Sequence, residues 1–166
     1  MSLKERIQKD LKETLKKKEK IVLSVLRMLS ASILNKEKEK RFKLSKEKPE
    51  LTEKELEKES QLTDEEVMEV VSSEIKKRKE SILEFEKGER PDLVEKEKKE
   101  AEILKKYLPE QLSEEEIKKL AKEIVEKVGA KEPRDMGKVM QELMPRIKGK
   151  AEGSTVSKIV KDLLQT

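Results

Sequence analysis

The chain has no cysteine, no histidine and no tryptophan, and only three aromatic side chains, Phe42, Phe85 and Tyr107. Without cysteine there are no disulfides, and an intracellular, cytoplasmic setting is the expectation. Without histidine or cysteine there is no Ser-His or Cys-His nucleophile pair, and no imidazole or thiolate to ligate a metal. No apolar stretch approaches the roughly 18 residues that mark a membrane span. The start, Met1-Ser2-Leu3-Lys4, passes directly into an amphipathic pattern with no signal-peptide core. A phosphate-binding glycine loop is also missing, because Gly137-Lys138 lacks both the upstream glycine spacing and a following Ser or Thr. No catalytic residue, metal ligand or cofactor site is therefore expected.

Charge is what the chain has in abundance. Of its 166 residues 47% are charged and 33% hydrophobic, and 41 Lys and Arg nearly balance 37 Asp and Glu. A clear apolar period runs beneath the charges, so they read as solvated helix faces and not as disorder. Dense, mixed Lys and Glu is also the composition of thermophile surfaces. The signs are unevenly spread: residues 1–44 hold 14 basic and 6 acidic side chains, residues 45–112 hold 15 and 21, and residues 113–166 hold 12 and 10. A basic front and an acidic middle imply intramolecular steering or a mixed partner surface, and not a polybasic coat.

The apolar period predicts helices throughout and no strand. Ser2-Leu3-Lys4-Glu5 reads as a capping box, followed by the stripe Leu3, Ile7, Leu11 and Leu15. A second helix is expected over residues 20–38, its apolar residues covering more than half its circumference. From 36 to 62 the pattern dissolves into charges around Pro49, and a mobile loop is expected over about 44–62. Thr63-Asp64-Glu65-Glu66 opens a long helix with Val67, Val70, Val71, Ile75, Ile82, Leu83 and Phe85 inward, closed by Gly88 in the left-handed conformation. Pro91 starts the next helix, which buries Val94, Ala101, Leu104 and Leu108 and ends at Pro109. Ser113-Glu114-Glu115-Glu116 is a third capping box that begins three short helices. The expected fold is all-α, with an N-terminal helical domain over 1–110 and a small three-helix domain over 111–166.

The acidic run Glu114 to Glu116 complements a helix dipole and gives no metal site. The informative stretch is Gly137-Lys138-Val139-Met140, then Leu143-Met144-Pro145-Arg146-Ile147-Lys148-Gly149-Lys150-Ala151-Glu152-Gly153-Ser154. A turn bounded by Gly149 and Gly153 runs into the last helix, whose free N–H groups and dipole favour an anion, with Ser154 as the expected N-cap. Arg146, Lys148 and Lys150 flank it. The same residues also read as ordinary caps with solvated lysines between, and the methionines as core filler.

These residues closely resemble the GatB/YqeY family: stand-alone YqeY proteins and the C-terminal tail of the GatB subunit of tRNA-dependent amidotransferase. The likeness extends to Leu23-Ser24-Val25-Leu26-Arg27-Met28-Leu29, to the run from Ile75 to Arg90, and to Tyr107-Leu108-Pro109-Glu110-Gln111-Leu112-Ser113. It departs at Glu152, where the family usually carries Asp. The resemblance implies a helical N-terminal part and a small helical tail domain that contacts tRNA. It also carries a family label, carbon–nitrogen ligase with glutamine as amido-N-donor, whose chemistry in the larger relatives lives in a separate catalytic domain.

Two functions follow as expectations. One is a binding module for tRNA or another structured RNA through Gly137, Lys138, Arg146, Lys148, Gly149, Lys150, Gly153 and Ser154. With three aromatic residues, shape and phosphate recognition would carry it in place of base stacking. The other is an adaptor that docks on an amidotransferase or another protein through its N-terminal helices. No membrane partner is expected. The missing nucleophile pair and phosphate loop predict that the purified chain neither hydrolyses ATP nor amidates misacylated glutamyl- or aspartyl-tRNA with glutamine or ammonia supplied. Turnover surviving removal of contaminating amidotransferase contradicts this.

Overall fold

The computed structural model describes residues 1–165 and contains eight α-helices, with no strand among the described residues. The all-α class is as expected. In order these are α1 (Leu3–Lys17), α2 (Lys20–Glu47), α3 (Glu53–Glu59), α4 (Asp64–Lys87), α5 (Pro91–Lys105), α6 (Glu114–Val128), α7 (Met136–Ile147) and α8 (Gly153–Gln165), with a 3-10 turn at Pro133–Asp135 before α7. The helices form two compact units, Met1–Tyr107 and Leu108–Thr166. No described helix is long and apolar enough to cross a membrane.

Four helices start on reciprocal capping boxes: α1 at Ser2, α3 at Thr52 and α4 at Thr63 in the first unit, and α6 at Ser113 in the second. Each box satisfies two of the N–H groups a helix start leaves unpaired. The α1 stripe differs from its sequence pattern. Ile7 is buried, but Leu15 is 49% exposed and Thr14 is buried in its place. A strict four-residue repeat drifts about 40° per step on a helix of 3.6 residues per turn, so the fourth leucine has rotated off the core face. For the same reason Leu83 leaves the inward face of α4 and lies exposed.

The charged stretch expected as a loop is mostly helix. α2 runs nine residues beyond Lys38, to Glu47, and α3 follows after the turn around Pro49. Lysine and glutamate are good helix formers, and the extension has anchors. Lys40 Nζ reaches Glu66 at 2.7 Å and the Gln61 carbonyl at 3.1 Å, while Glu37 takes both Lys4 at 2.6 Å and the Leu62 N–H at 3.3 Å. Gly88 is not the left-handed residue; its φ is −83°, and Glu89 adopts φ 52° instead. The Arg90 and Glu89 N–H groups bond the Phe85 and Glu86 carbonyls at 2.9 and 3.2 Å, a Schellman closure with a glutamate where glycine is usual.

The core of this unit holds charges that the apolar pattern concealed. Glu74, Arg78 and Glu100 are 5%, 4% and 7% exposed, among Val67, Val71, Ile75, Val94 and Leu104. Arg78 joins α4 to α5. It donates to Glu74 Oε2 at 2.9 Å and to the Glu74 carbonyl at 3.1 Å through Nη1, and to Glu100 Oε2 at 3.2 Å through Nε. Ser32 Oγ and Lys77 Nζ complete the set on Glu74 Oε1, at 3.1 and 2.9 Å. Burial opposes the charge on Glu74, but the bonds from Lys77, Arg78 and Ser32 outweigh it and hold the carboxyl below its usual range. At the end of α5 the buried Tyr107 hydroxyl donates to Asp10 at 2.7 Å, and Arg6 lies over its ring, tying α1 to the end of α5.

Arg78→Leu strands two buried carboxylates and is expected to cost about 3–5 kcal/mol at neutral pH. Because the native Glu74 carboxyl is held low, its stabilising share is complete above about pH 4.3, the unfolded glutamate value. That share vanishes as the pH falls through the lower native value. The gap between wild type and variant should therefore narrow in acid. Denaturant titrations at pH 7 and pH 3.5 check it; an unchanged gap argues against the ion network.

Candidate nucleic-acid interface

The second unit packs α6, α7 and α8 around Ile117, Ala121, Ile124, Val139, Leu143, Ile147, Val156 and Val160, all fully or almost fully buried. α6 closes on Gly129, in the left-handed conformation at φ 68°. Pro145 lies inside α7. The helix continues to Ile147, whose side chain is completely buried and holds the last turn against the core. A proline so near a helix end removes only one backbone bond.

The turn after α7 is a type II β-turn over Ile147, Lys148, Gly149 and Lys150. Lys148 has φ −54° and ψ 125°, Gly149 has φ 76°, and the Lys150 N–H bonds the Ile147 carbonyl at 2.8 Å. This turn type demands a positive φ at its third residue, which is why glycine stands there. Two bonds from the segment before α6 hold it in place. Gln111 Nε2 donates to the Gly149 carbonyl at 2.8 Å and also to the Pro109 carbonyl at 2.8 Å, while the Leu112 N–H donates to the Lys150 carbonyl at 2.8 Å. The Gly149 and Lys150 carbonyls are thus committed to their own domain, while the Lys148 and Lys150 side chains stay exposed.

The structure brings together some of the residues singled out in the sequence and separates others. Arg146, Lys148 and Lys150 are exposed around the turn, and Gly153 and Ser154 begin α8 a few residues on. Arg146 and Lys150 have no acidic partner among the described residues. Gly137 and Lys138 lie in the first turn of α7, and Lys138 is eight residues from Arg146 and so about 12 Å away along the helix. There Lys138 Nζ is 4.0 Å from Asp135. The Asp135 carboxylate caps the preceding turn through the Lys131 and Glu132 N–H groups, which hold it below its usual range.

Ser154 is not the N-cap of α8. The helix begins at Gly153, and the Val156 N–H bonds the Glu152 carbonyl at 3.1 Å, so Glu152 holds the cap position. Ser154 is an exposed first-turn residue whose N–H, with those of Gly153 and Thr155, faces the helix start. Gly153 has no steric need to be glycine, since an added Cβ would meet only Met144 Cε at 3.9 Å. No group of three or more acidic side chains able to hold a metal occurs among the described residues.

Sequence reasoning missed Gln111 and Leu112 as the strap on the turn; both sit in the Leu108-to-Ser113 stretch, where no periodicity marks a tertiary contact. It also missed a mixed-charge groove of 680 Å³ between α2 and α4, lined by Lys36, Lys40, Lys43, Glu66, Glu69 and Ser73 among others.

The family described as Yqey-like protein matches residues 4–49 and 48–164 of the chain. A search of curated proteins finds no match.

Gly149→Ala places a Cβ at φ 76° and is expected to destabilise the C-terminal unit by about 1–2 kcal/mol. Gln111→Ala should cost less in stability but accelerate amide exchange at Leu112 and Lys150, which the strap protects. Exchange rates equal to wild type would show that the turn holds itself.

Proposed function

The chain belongs to the Yqey-like protein family over nearly its whole length, and from that premise we propose that it is an accessory protein that binds tRNA or a similarly folded RNA through its C-terminal unit. The observation that carries the reading is the strapped type II turn. Its backbone is fixed from behind by Gln111 and Leu112, while Arg146, Lys148 and Lys150 are exposed around it. A rigid turn carrying exposed cations suits phosphates presented at fixed spacing by a folded RNA. The first-turn N–H groups of α8 add a fixed positive end near these cations. Gly137 and Lys138, at the other end of α7, would contribute only to an RNA long enough to follow that helix.

The chain's charge balance fits a dedicated site better than general attraction. Its formal net charge is only +4, so affinity depends on where the cations stand and not on their sum. The amidotransferase label of the resembled family does not transfer, because the chain supplies neither a nucleophile pair nor a phosphate loop.

Reversing Lys148 and Lys150 to Glu should lower tRNA affinity by about tenfold or more at low salt. It should also reduce the magnitude of the log K against log salt slope by roughly 0.7–0.9 for each phosphate no longer neutralised. The thermal midpoint should stay near wild type, since both side chains are exposed. Reversal of Lys12 and Lys16, exposed on α1, is the control. Equal reductions from the two pairs would mean unspecific electrostatics. Absence of tRNA binding by the wild type at low salt removes the reading and leaves an adaptor role.

A further inference from the structure

The end of α2 has a character that its charges hide in the sequence. Residues 36–48 contain seven basic and three acidic side chains. Three of the lysines are paired: Lys36 with Glu39 at 3.2 Å, Lys40 with Glu66 at 2.7 Å and Lys48 with Glu59 at 3.0 Å. Lys38, Arg41 and Lys43 have no acidic partner among the described residues. Amid them Phe42 is 61% exposed, more than any other large apolar side chain among the described residues apart from Met1. Lys46 Nζ lies 4.3 Å from the centre of its ring.

Helical geometry sets these groups in a line. Lys38 and Lys46 are four residues before and after Phe42, so they share its face one turn to either side. Asn35 stands a further turn back on the same face, and Lys43 borders it. A phenyl ring with the Lys46 ammonium over it and Lys38 one turn away on the same face suits one nucleic-acid base and a flanking phosphate. It matches a protein partner poorly, because the core of a protein interface is depleted in lysine and needs contiguous apolar area. Here the immediate neighbours of Phe42 on its face are Lys38, Glu39, Ser45 and Lys46.

We propose that this face of α2, centred on Phe42, is a contact site for single-stranded RNA. One base stacks on the face of the Phe42 ring opposite Lys46, and Lys38 and Lys43 neutralise neighbouring phosphates. Three aromatic residues in the chain argue against reading a run of bases, and one exposed ring reads one base without regard to its identity. The site lies in the N-terminal unit and is independent of the strapped turn.

The test uses the full-length chain and an adenosine dodecamer, which has neither duplex nor tertiary fold, so its failure leaves the folded-RNA reading of the C-terminal turn intact. At low salt the wild type should bind the dodecamer, and Phe42→Ala should weaken binding by about 5- to 100-fold. Lys38→Glu with Lys46→Glu should weaken it further, whereas Lys148→Glu with Lys150→Glu should leave it near wild type. Phe42→Trp should preserve binding and supply a fluorophore to a chain that has no tryptophan, and the stacked base quenches its emission. All these side chains are exposed, and unchanged circular dichroism confirms that each variant folds. The proposal is overturned by a wild type that does not bind, by Phe42→Ala that binds as well as wild type, or by unquenched Phe42→Trp emission at saturation. It is also overturned if Phe42→Ala dissolves a dimer seen in sedimentation without altering RNA affinity, which would assign the face to a second copy of this chain.

Discussion

The guanidinium of Arg78 is the group on which the N-terminal unit depends. Only 33% of the chain's residues are hydrophobic, too few for a thick core, and the long helices α4 and α5 meet over charges as well as over valine and leucine. A buried carboxylate is tolerable only when paired and hydrogen-bonded. Arg78 supplies both conditions to Glu74 and Glu100, and Ser32 brings α2 to the same Glu74 carboxylate. The register of three helices is thereby specified by directional bonds, where an all-aliphatic seam could slide by a turn. The exposed Lys77 on Glu74 balances the second negative charge at the rim.

The same high charge density covers the surface with both paired and unpaired cations. Many lysines sit three or four residues from a glutamate, or across from one on a neighbouring helix, and such pairs contribute little stability each. Such pairs offset charge where they form, while other lysines and arginines stand without an acidic partner among the described residues. Arg146 and Lys150 in the C-terminal unit, and Lys38, Arg41 and Lys43 on α2, are such cations. In both places the backbone beneath is held by bonds to other segments: Gln111 and Leu112 under the turn, Glu66 and the Gln61 carbonyl through Lys40 under the α2 extension.

Much of this is legible in the residues. Helix starts at Ser2, Thr63 and Ser113 are visible because a capping box is local chemistry, complete within four residues. Ile117, Val139 and Leu143 are visible as core because their spacing follows the helical period. The extension of α2 is not, because a helix rich in Lys and Glu with one narrow apolar edge looks like a loop when apolar periodicity is the only guide. The buried charges do leave a trace. Glu74 and Arg78 fall in step with Val67, Val71 and Ile75, and a charged pair four residues apart on a core face needs a partner across the interface. The family likeness of the whole chain is carried by the Gly137 and Lys148 motifs together with the stretch around Leu26, the run from Ile75 to Arg90 and the stretch around Tyr107.

The sequence by itself determined the helical class, most helix starts, and the need for glycine near residue 149, since each depends on bonds among close neighbours or on a period of 3.6. Tertiary structure alone decided which charges are buried, that Phe42 stays exposed, and that Gln111 straps the turn 38 residues away. Most of these rest on pairings between segments distant in the chain. Such pairings follow from how the packed helices meet, and no local pattern of residues encodes them.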